Sequence, residues 1–246
     1  MSTNRVFISG VLNKHELRYT PKGTPVLEVT LVGKRAVGDN HLFFRGDLSF
    51  YGKQAENWAQ QLVDGQAYQA MGRLVYEAWE ANGQKASRLR IVGEELFRLE
   101  KADVREEEQG PILYGAENRV ILSGGLTADP EIRQTPRKTP VAKASLVFSS
   151  WDASTKQAKN HYIELEAWRE QAAPFASLKK GSAVLLEGAL KTEVWEDRET
   201  KTRRYKRVLE VQRVTPLARL RPAERDQEAP TQAEPRTKSK QKTRAA

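Results

Sequence analysis

The sequence predicts an all-β protein with one short helix per domain, arranged as two tandem small barrels. Three observations lead there. First, the 246 residues are written twice. NRVFISGVL (Asn4 to Leu12) is answered by NRVILSGGL (Asn118 to Leu126), and ELRYTPKGTPV (Glu16 to Val26) by EIRQTPRKTPV (Glu131 to Val141). YGKQAENWAQQL (Tyr51 to Leu62) is answered by WREQAAPFASL (Trp168 to Leu178), and GQAYQAMGRLVYEAW (Gly65 to Trp79) by GSAVLLEGALKTEVW (Gly181 to Trp195). Four blocks in one order mark a duplicated unit. Second, apolar residues within each unit recur mostly with period two, as half-buried strands require. Third, a single stretch per unit switches to helical spacing.

The elements follow in order. In VLEVTLV, Leu27, Val29 and Leu31 share one face of a strand. In the next strand Phe44, Gly46, Leu48 and Phe50 alternate toward the core, and Arg45, Asp47, Ser49 and Tyr51 alternate outward. Ala55, Trp58 and Leu62 then take i, i+3, i+7 spacing, so a helix there buries Trp58. Ala172, Phe175, Ala176 and Leu178 are the weaker echo in the second unit. ANGQKAS carries Asn82-Gly83, a strong hairpin signal. Three strands, a helix and a hairpin match the five-stranded OB barrel, whose helix lies between strands three and four. Gly72 and Gly188 fall in strand four, where a small barrel needs tight bending or close backbone approach. Leu74 and Leu190 share their face, while Trp79 and Trp195 point the other way.

The domains are therefore read as residues 1–100 and 118–220, joined by a linker over 101–117 that holds a charged run and a Gly-Pro turn. From residue 221 the chain has no aromatic residue and no Ile, Leu, Val or Met, so 221–246 is expected to be a disordered tail. The tail holds seven Lys or Arg against four Asp or Glu, a net charge of +3.

Composition narrows function. The whole chain carries a net charge of +9, which favours a polyanionic partner such as nucleic acid or an anionic membrane surface. It has no Cys, which excludes a disulfide framework, a thiolate metal site and a Cys nucleophile. His15, His41 and His161 are too few for a His-rich metal site, and neither a P-loop nor a clustered catalytic set is present. No enzyme, no cofactor and no metal is expected. No apolar run reaches the ~18 residues of a membrane span, and MSTNRVFISG has no hydrophobic signal region, so a soluble cytoplasmic protein is expected.

At this point the residues carry a family. NRVxxxGxL, ELRYTPxGTPV, the YGKQAE block and GRLxxxxW resemble motifs of the bacterial single-stranded-DNA-binding proteins. The duplication is similar to their variant with two OB domains per chain, over roughly residues 4–100 and 118–215. The resemblance implies a nucleoid-associated homodimer with four OB domains, sequence-independent binding of single strands in replication, recombination and repair, and no catalysis. The family's acidic C-terminal tip, which docks partner enzymes, has no counterpart in TKSKQKTRAA, so that docking is not expected. An RNA-binding or primosome-type OB protein is the alternative, because the same barrel and aromatic logic serve both.

Sequence-tolerant binding needs π-faces for bases and cations for the backbone. Trp151, Tyr162, Trp168 and Trp195 match stacking positions of the family in the second unit. In the first unit, Ala36 stands for Trp151 and Arg45 for Tyr162, while Tyr51 and Trp79 keep aromatic character. The first unit is expected to stack fewer bases. Arg73, Lys191, Arg203 and Arg204, with Arg45, are the candidate phosphate contacts. Glu164 and Glu166 are awkward neighbours for a phosphate and are expected to pair with nearby Lys or Arg. A net-positive tail should add phosphate contacts, each worth about −0.7 in the slope of log K against log salt. With two or three tail cations engaged, deleting 221–246 should make the slope for oligo(dT) shallower by about 1.4 to 2.1 and weaken low-salt affinity. Tighter binding by the truncated protein would show instead that the tail is inhibitory.

Overall fold

The structure, a computed structural model, describes residues 3–81, 84–152, 156–196 and 203–218. The tail read from 221 onward and the Asn82-Gly83 turn lie outside the described residues. In the first repeat the order is β1 (Asn4–Tyr19), β2 (Pro25–Val37), β3 (Asn40–Tyr51), α1 (Lys53–Ala59), β4 (Ala67–Ala81) and β5 (Gln84–Arg98). Hydrogen-bonded neighbours run β2, β3, β5, β4, β1, and β1 returns to β2, so the five strands close. Closure uses a short parallel pairing of β3 with β5, Leu48 beside Ile91 and Ser49 beside Val92. Leu27, Leu31, Leu48, Phe50, Leu74 and Ile91 fill the interior. Trp58 is half-buried on α1, packed against that core.

Two short strands follow, β6 (Val104–Glu107) and β7 (Gly110–Tyr114). The segment read as a linker is thus a folded hairpin. β7 runs parallel to β2 through Gly33 and Lys34, and Ile112 and Leu113 are buried. Lys34 holds Glu107 at 2.5 Å and Tyr114 at 3.2 Å. The Gly-Pro pair begins β7, with Gly110 at φ +101°.

The second repeat has β8 (Asn118–Leu126), β9 (Glu131–Gln134), β10 (Pro140–Asp152), β11 (Gln157–Trp168), a 3-10 turn (Arg169–Gln171), α2 (Ala172–Ala176), β12 (Ala183–Glu196) and β13 (Arg203–Pro216). It closes as the first does: β8, β12, β13, β11, β10 and back to β8. The strand corresponding to β1 is broken here into β8 and β9. The break contains Pro130, which has no N–H to give a ladder. Both repeats are OB barrels. No helix among the described residues is long and apolar enough to cross a membrane.

The repeated motifs now have physical reasons. TPKGT and TPRKT are the same turn: Thr20 and Thr135 each accept at Oγ1 from the N–H of the Thr four residues on, at 3.0 and 3.1 Å. In the GRL and GAL motifs, strand pairing slips by one residue at Met71/Gly72 and at Glu187/Gly188. A Cβ on Gly72 would sit 2.2 Å from the Val92 carbonyl oxygen, and one on Gly188 at 2.2 Å from that of Glu210. Only glycine lets the backbones approach so closely at a bulge. The Asn of NRV supplies the matching clamp. Asn4 donates from Nδ2 to the Leu74 carbonyl and accepts at Oδ1 from the Leu74 N–H, both at 2.9 Å. Asn118 does the same to Leu190, again at 2.9 Å in both directions.

The barrels are joined by backbone. β1 and β8 pair antiparallel from Asn4 opposite Leu122 to Ile8 opposite Asn118. Side chains cross the seam as well. Arg35 meets Glu210 at 2.7 Å. Arg207 on β13 donates to the carbonyl oxygens of Leu89 and Asp47, at 3.1 and 3.3 Å. His161 on β11 accepts at Nδ1 from the backbone N–H of Tyr76 at 3.0 Å, and Ser150 Oγ lies 2.7 Å from its Nε2.

His161 occupies the register that Phe44 holds in the first repeat, packed on Phe148 and 1% exposed. Burial pushes its imidazole below the ordinary value, and the positive charges of Lys159 and Arg73 act the same way. Accepting the Tyr76 N–H also requires the neutral ring. A depressed folded value means that the unfolded chain takes up a proton first as pH falls. The stabilisation is therefore complete above the unfolded value of about 6.5 and declines below it. His161→Phe should cost about 1–3 kcal/mol at pH 7.5, because the Tyr76 N–H loses its acceptor. The gap between wild type and variant in thermal unfolding should narrow as pH falls to 5. A gap that stays constant across that range would show that folding leaves the His161 imidazole unshifted.

Candidate nucleic-acid interface

In both barrels the third long strand, β3 and β11, turns one set of residues into the core and most of the alternate set outward. In the second repeat Ile163, Leu165 and Ala167 are buried, while Tyr162 and Trp168 fall on the other face. On that face Glu166 is only 2% exposed, because it is sealed beneath cations and an indole. Lys143 lies 2.5 Å from its Oε1 and Lys191 3.4 Å from Oε2, and Trp168 Nε1 donates to Oε2 at 3.2 Å. Burial pushes this carboxyl up, but the Lys143 bond and the Lys191 charge outweigh burial and hold it below the usual range. Lys191 also stands 5.7 Å from the centre of the Trp168 ring. Glu164 pairs with Lys206. The two carboxylates are thus paired with lysines, as expected from the sequence.

Trp195 lies beyond Lys191 and Glu193 on the outward face of β12 and is about half exposed. Trp151, on the β10–β11 hairpin, is 68% exposed. Tyr162 is exposed and meets Tyr76 of the first repeat edge to face, with ring centres 5.8 Å apart. The side chains of Arg203 and Arg204 lie outside the described residues.

The first repeat builds a comparable surface with different parts. Tyr51 and Trp79 are both exposed, and each ring has an arginine over it: Arg90 at 5.6 Å from Tyr51 and Arg88 at 5.4 Å from Trp79. One carboxylate joins them. Glu77 accepts from Arg88 at 2.9 Å and from Arg90 at 3.3 Å. Burial alone would raise the Glu77 carboxyl, but the two arginines hold it low. Arg90 also covers Ser49, which was expected to face solvent and is buried instead beneath the Arg90–Glu28 pair. Arg45 reaches Asp47 at 2.9 Å, and Arg73 reaches Glu94 at 2.5 Å.

Four residues of this surface were absent from the sequence-based candidates: Arg88, Arg90, Phe43 and Tyr205. Arg88 and Arg90 become visible only when β5 is laid beside β4. Phe43 shares the outward parity of Arg45 and Tyr51 and was readable from alternation alone. Tyr205 is 65% exposed on β13, directly paired with exposed Val194.

Comparison with known proteins gives this geometry its family. Residues 3–99 and 117–217 each match the Single-strand binding protein family. The chain belongs to that family. The two matched segments coincide with the two barrels, and the β6–β7 hairpin falls between them. A single-stranded DNA-binding protein of Thermus thermophilus is 35% identical over 201 residues, covering 78% of this chain and 75% of the relative. One of Deinococcus radiodurans is 34% identical over 221 residues, 83% of this chain and 72% of the relative. The crystal structure of the wild-type single-stranded DNA binding protein from Thermus aquaticus superimposes with a TM-score of 0.71 at 31% identity, covering 91% of this chain and 96% of that one. In this family context the bulge glycines and the Asn clamps recur once per barrel within a single chain, and each barrel carries cation-backed aromatics.

Proposed function

We propose that the protein binds and protects single-stranded DNA without sequence preference, serving replication, recombination and repair as a binding protein and not as an enzyme. One observation carries the reading: both barrels expose aromatic faces backed by cations, Trp79 with Arg88 and Tyr51 with Arg90 on one, Trp168 with Lys191 on the other. An aromatic face takes any base, and a cation nearby takes any phosphate. Trp151, Tyr162, Trp168, Trp195, Tyr51 and Trp79 are the proposed stacking set, with Arg45, Arg73, Lys191, Arg203 and Arg204 as phosphate contacts. The relatives' names, all single-stranded DNA-binding proteins, support the same partner. A homodimer presenting four barrels is the working unit this reading adopts, on which sedimentation equilibrium should return twice the chain mass.

Trp195 is about half exposed, so truncating it leaves the core intact. Trp195→Ala should weaken oligo(dT) binding by about 1–3 kcal/mol and reduce the fluorescence quench on titration, with unfolding temperature unchanged. Wild-type affinity in a folded Trp195→Ala variant would remove Trp195 from the interface. Competition with oligo(rU) distinguishes DNA from RNA as the preferred strand.

A further inference from the structure

The β12–β13 hairpin carries aromatics on both faces. Trp195 lies on the outward face, and on the other, Val194 and Tyr205 stand opposite each other. That second face leans over the first repeat. Between them is a cleft of about 650 Å³, walled by Leu42, Phe43 and Arg45 of β3 and by Lys191, Val194 and Tyr205. Leu42 and Phe43 are 44% and 50% exposed, Val194 and Tyr205 55% and 65%. Apolar side chains facing one another across an open seam are a surface waiting for a partner.

The chemistry of the cleft selects that partner. Its exposed cations are Arg45 and Lys191, both already at the proposed interface. Its carboxylates are answered from within: Asp47 by Arg45 and Arg207, Glu210 by Arg35. A phosphate entering meets cations and no unanswered carboxylate there. Tyr205 also borders a second cleft of about 860 Å³, which contains Tyr162, Arg88 and Arg90. Phe43 and Tyr205 thus line one cleft and Tyr205 and Tyr162 the other, so Tyr205 borders both clefts along the seam.

We infer that this seam is a binding subsite for single-stranded DNA, in which Phe43 and Tyr205 stack bases and carry the strand from one OB barrel of the chain to the other. The inference rests on the reading of the chain as a single-strand binder. It supplies the first repeat with a ring, Phe43, on the same outward face as Arg45, where the second repeat has Tyr162.

The test uses the full chain and oligo(dT) long enough to span both barrels. Phe43→Ala and Tyr205→Ala should each weaken binding roughly five- to a hundredfold, the range of a lost base stack. Tyr205→Phe should bind like wild type, since the ring face and not the hydroxyl makes the contact. Oligo(dT) carrying 5-iodouracil should cross-link on irradiation to Phe43 and Tyr205. Wild-type affinity in both alanine variants, beside weakened binding in Trp195→Ala, would overturn the subsite and leave the single-strand reading standing. Failure of the wild-type chain to bind oligo(dT) would overturn both. Equal losses in Tyr205→Phe and Tyr205→Ala would overturn stacking at Tyr205. A fall in sedimenting mass in the alanine variants would assign the seam to a second copy of the chain, and the subsite would be overturned.

Discussion

The antiparallel ladder between β1 and β8 is the contact on which the rest of the molecule depends. It turns two small barrels into one continuous sheet of 13 strands and fixes the span between their binding faces. β1 is used three times over: residues 4–8 pair with β8 on one edge while residues 6–11 pair with β4 on the other, and residues 11–19 pair with β2. Such sharing needs the strands to bend away from one another, and the bulges at Gly72 and Gly188 provide the bend. The ladders to β1 and β8 end at Gly72 and Gly188, leaving Leu74 and Leu190 without a ladder partner on that side. The Asn4 and Asn118 side chains fill that gap, imitating a peptide group in both donor and acceptor roles. A buried N–H and C=O left open would cost about 1–3 kcal/mol each, so the Asn and the Gly of each motif act as one device.

The binding faces follow a second constraint. A protein that must hold phosphates has to store its cations without aggregating or repelling itself. Here most are parked on carboxylates: Lys143 and Lys191 on Glu166, Arg88 and Arg90 on Glu77, Arg45 on Asp47, Arg73 on Glu94. The exposed pairs are each worth about 0–1 kcal/mol, so a phosphate can take the cation at little cost. The pairs also hold cations over the rings of Trp79, Tyr51 and Trp168. Glu166 differs from the others in being buried, and its two lysines are what keep its charge tolerable.

Duplication leaves the repeats free to diverge, and the seam is where they have done so. His161 stands in the register of Phe44, and from there it accepts a hydrogen bond from the other barrel. Arg207 spends its guanidinium on first-repeat carbonyls. Burial pulls this guanidinium below its ordinary value, although Asp47 opposes the shift. A tetramer of identical barrels could not place such one-sided contacts at one interface alone, whereas a tandem chain can.

The sequence by itself determined the two barrels and most of their strand parities. Those properties are local: period two sorts Phe44, Leu48 and Phe50 from Arg45 and Tyr51, and a repeated block needs no partner strand to be read. The helices were legible from Ala55, Trp58 and Phe175 for the same reason, though shorter than their spacing suggested. Only the tertiary structure decided that 104–114 folds back as a hairpin on β2, that Ser49 and Glu166 are covered, and that Arg88 and Arg90 back the rings of Trp79 and Tyr51. Each of these depends on which strand lies beside which. Strand adjacency is set by barrel closure and by the β1–β8 ladder, contacts between residues far apart in the chain, and no periodicity within a strand records them.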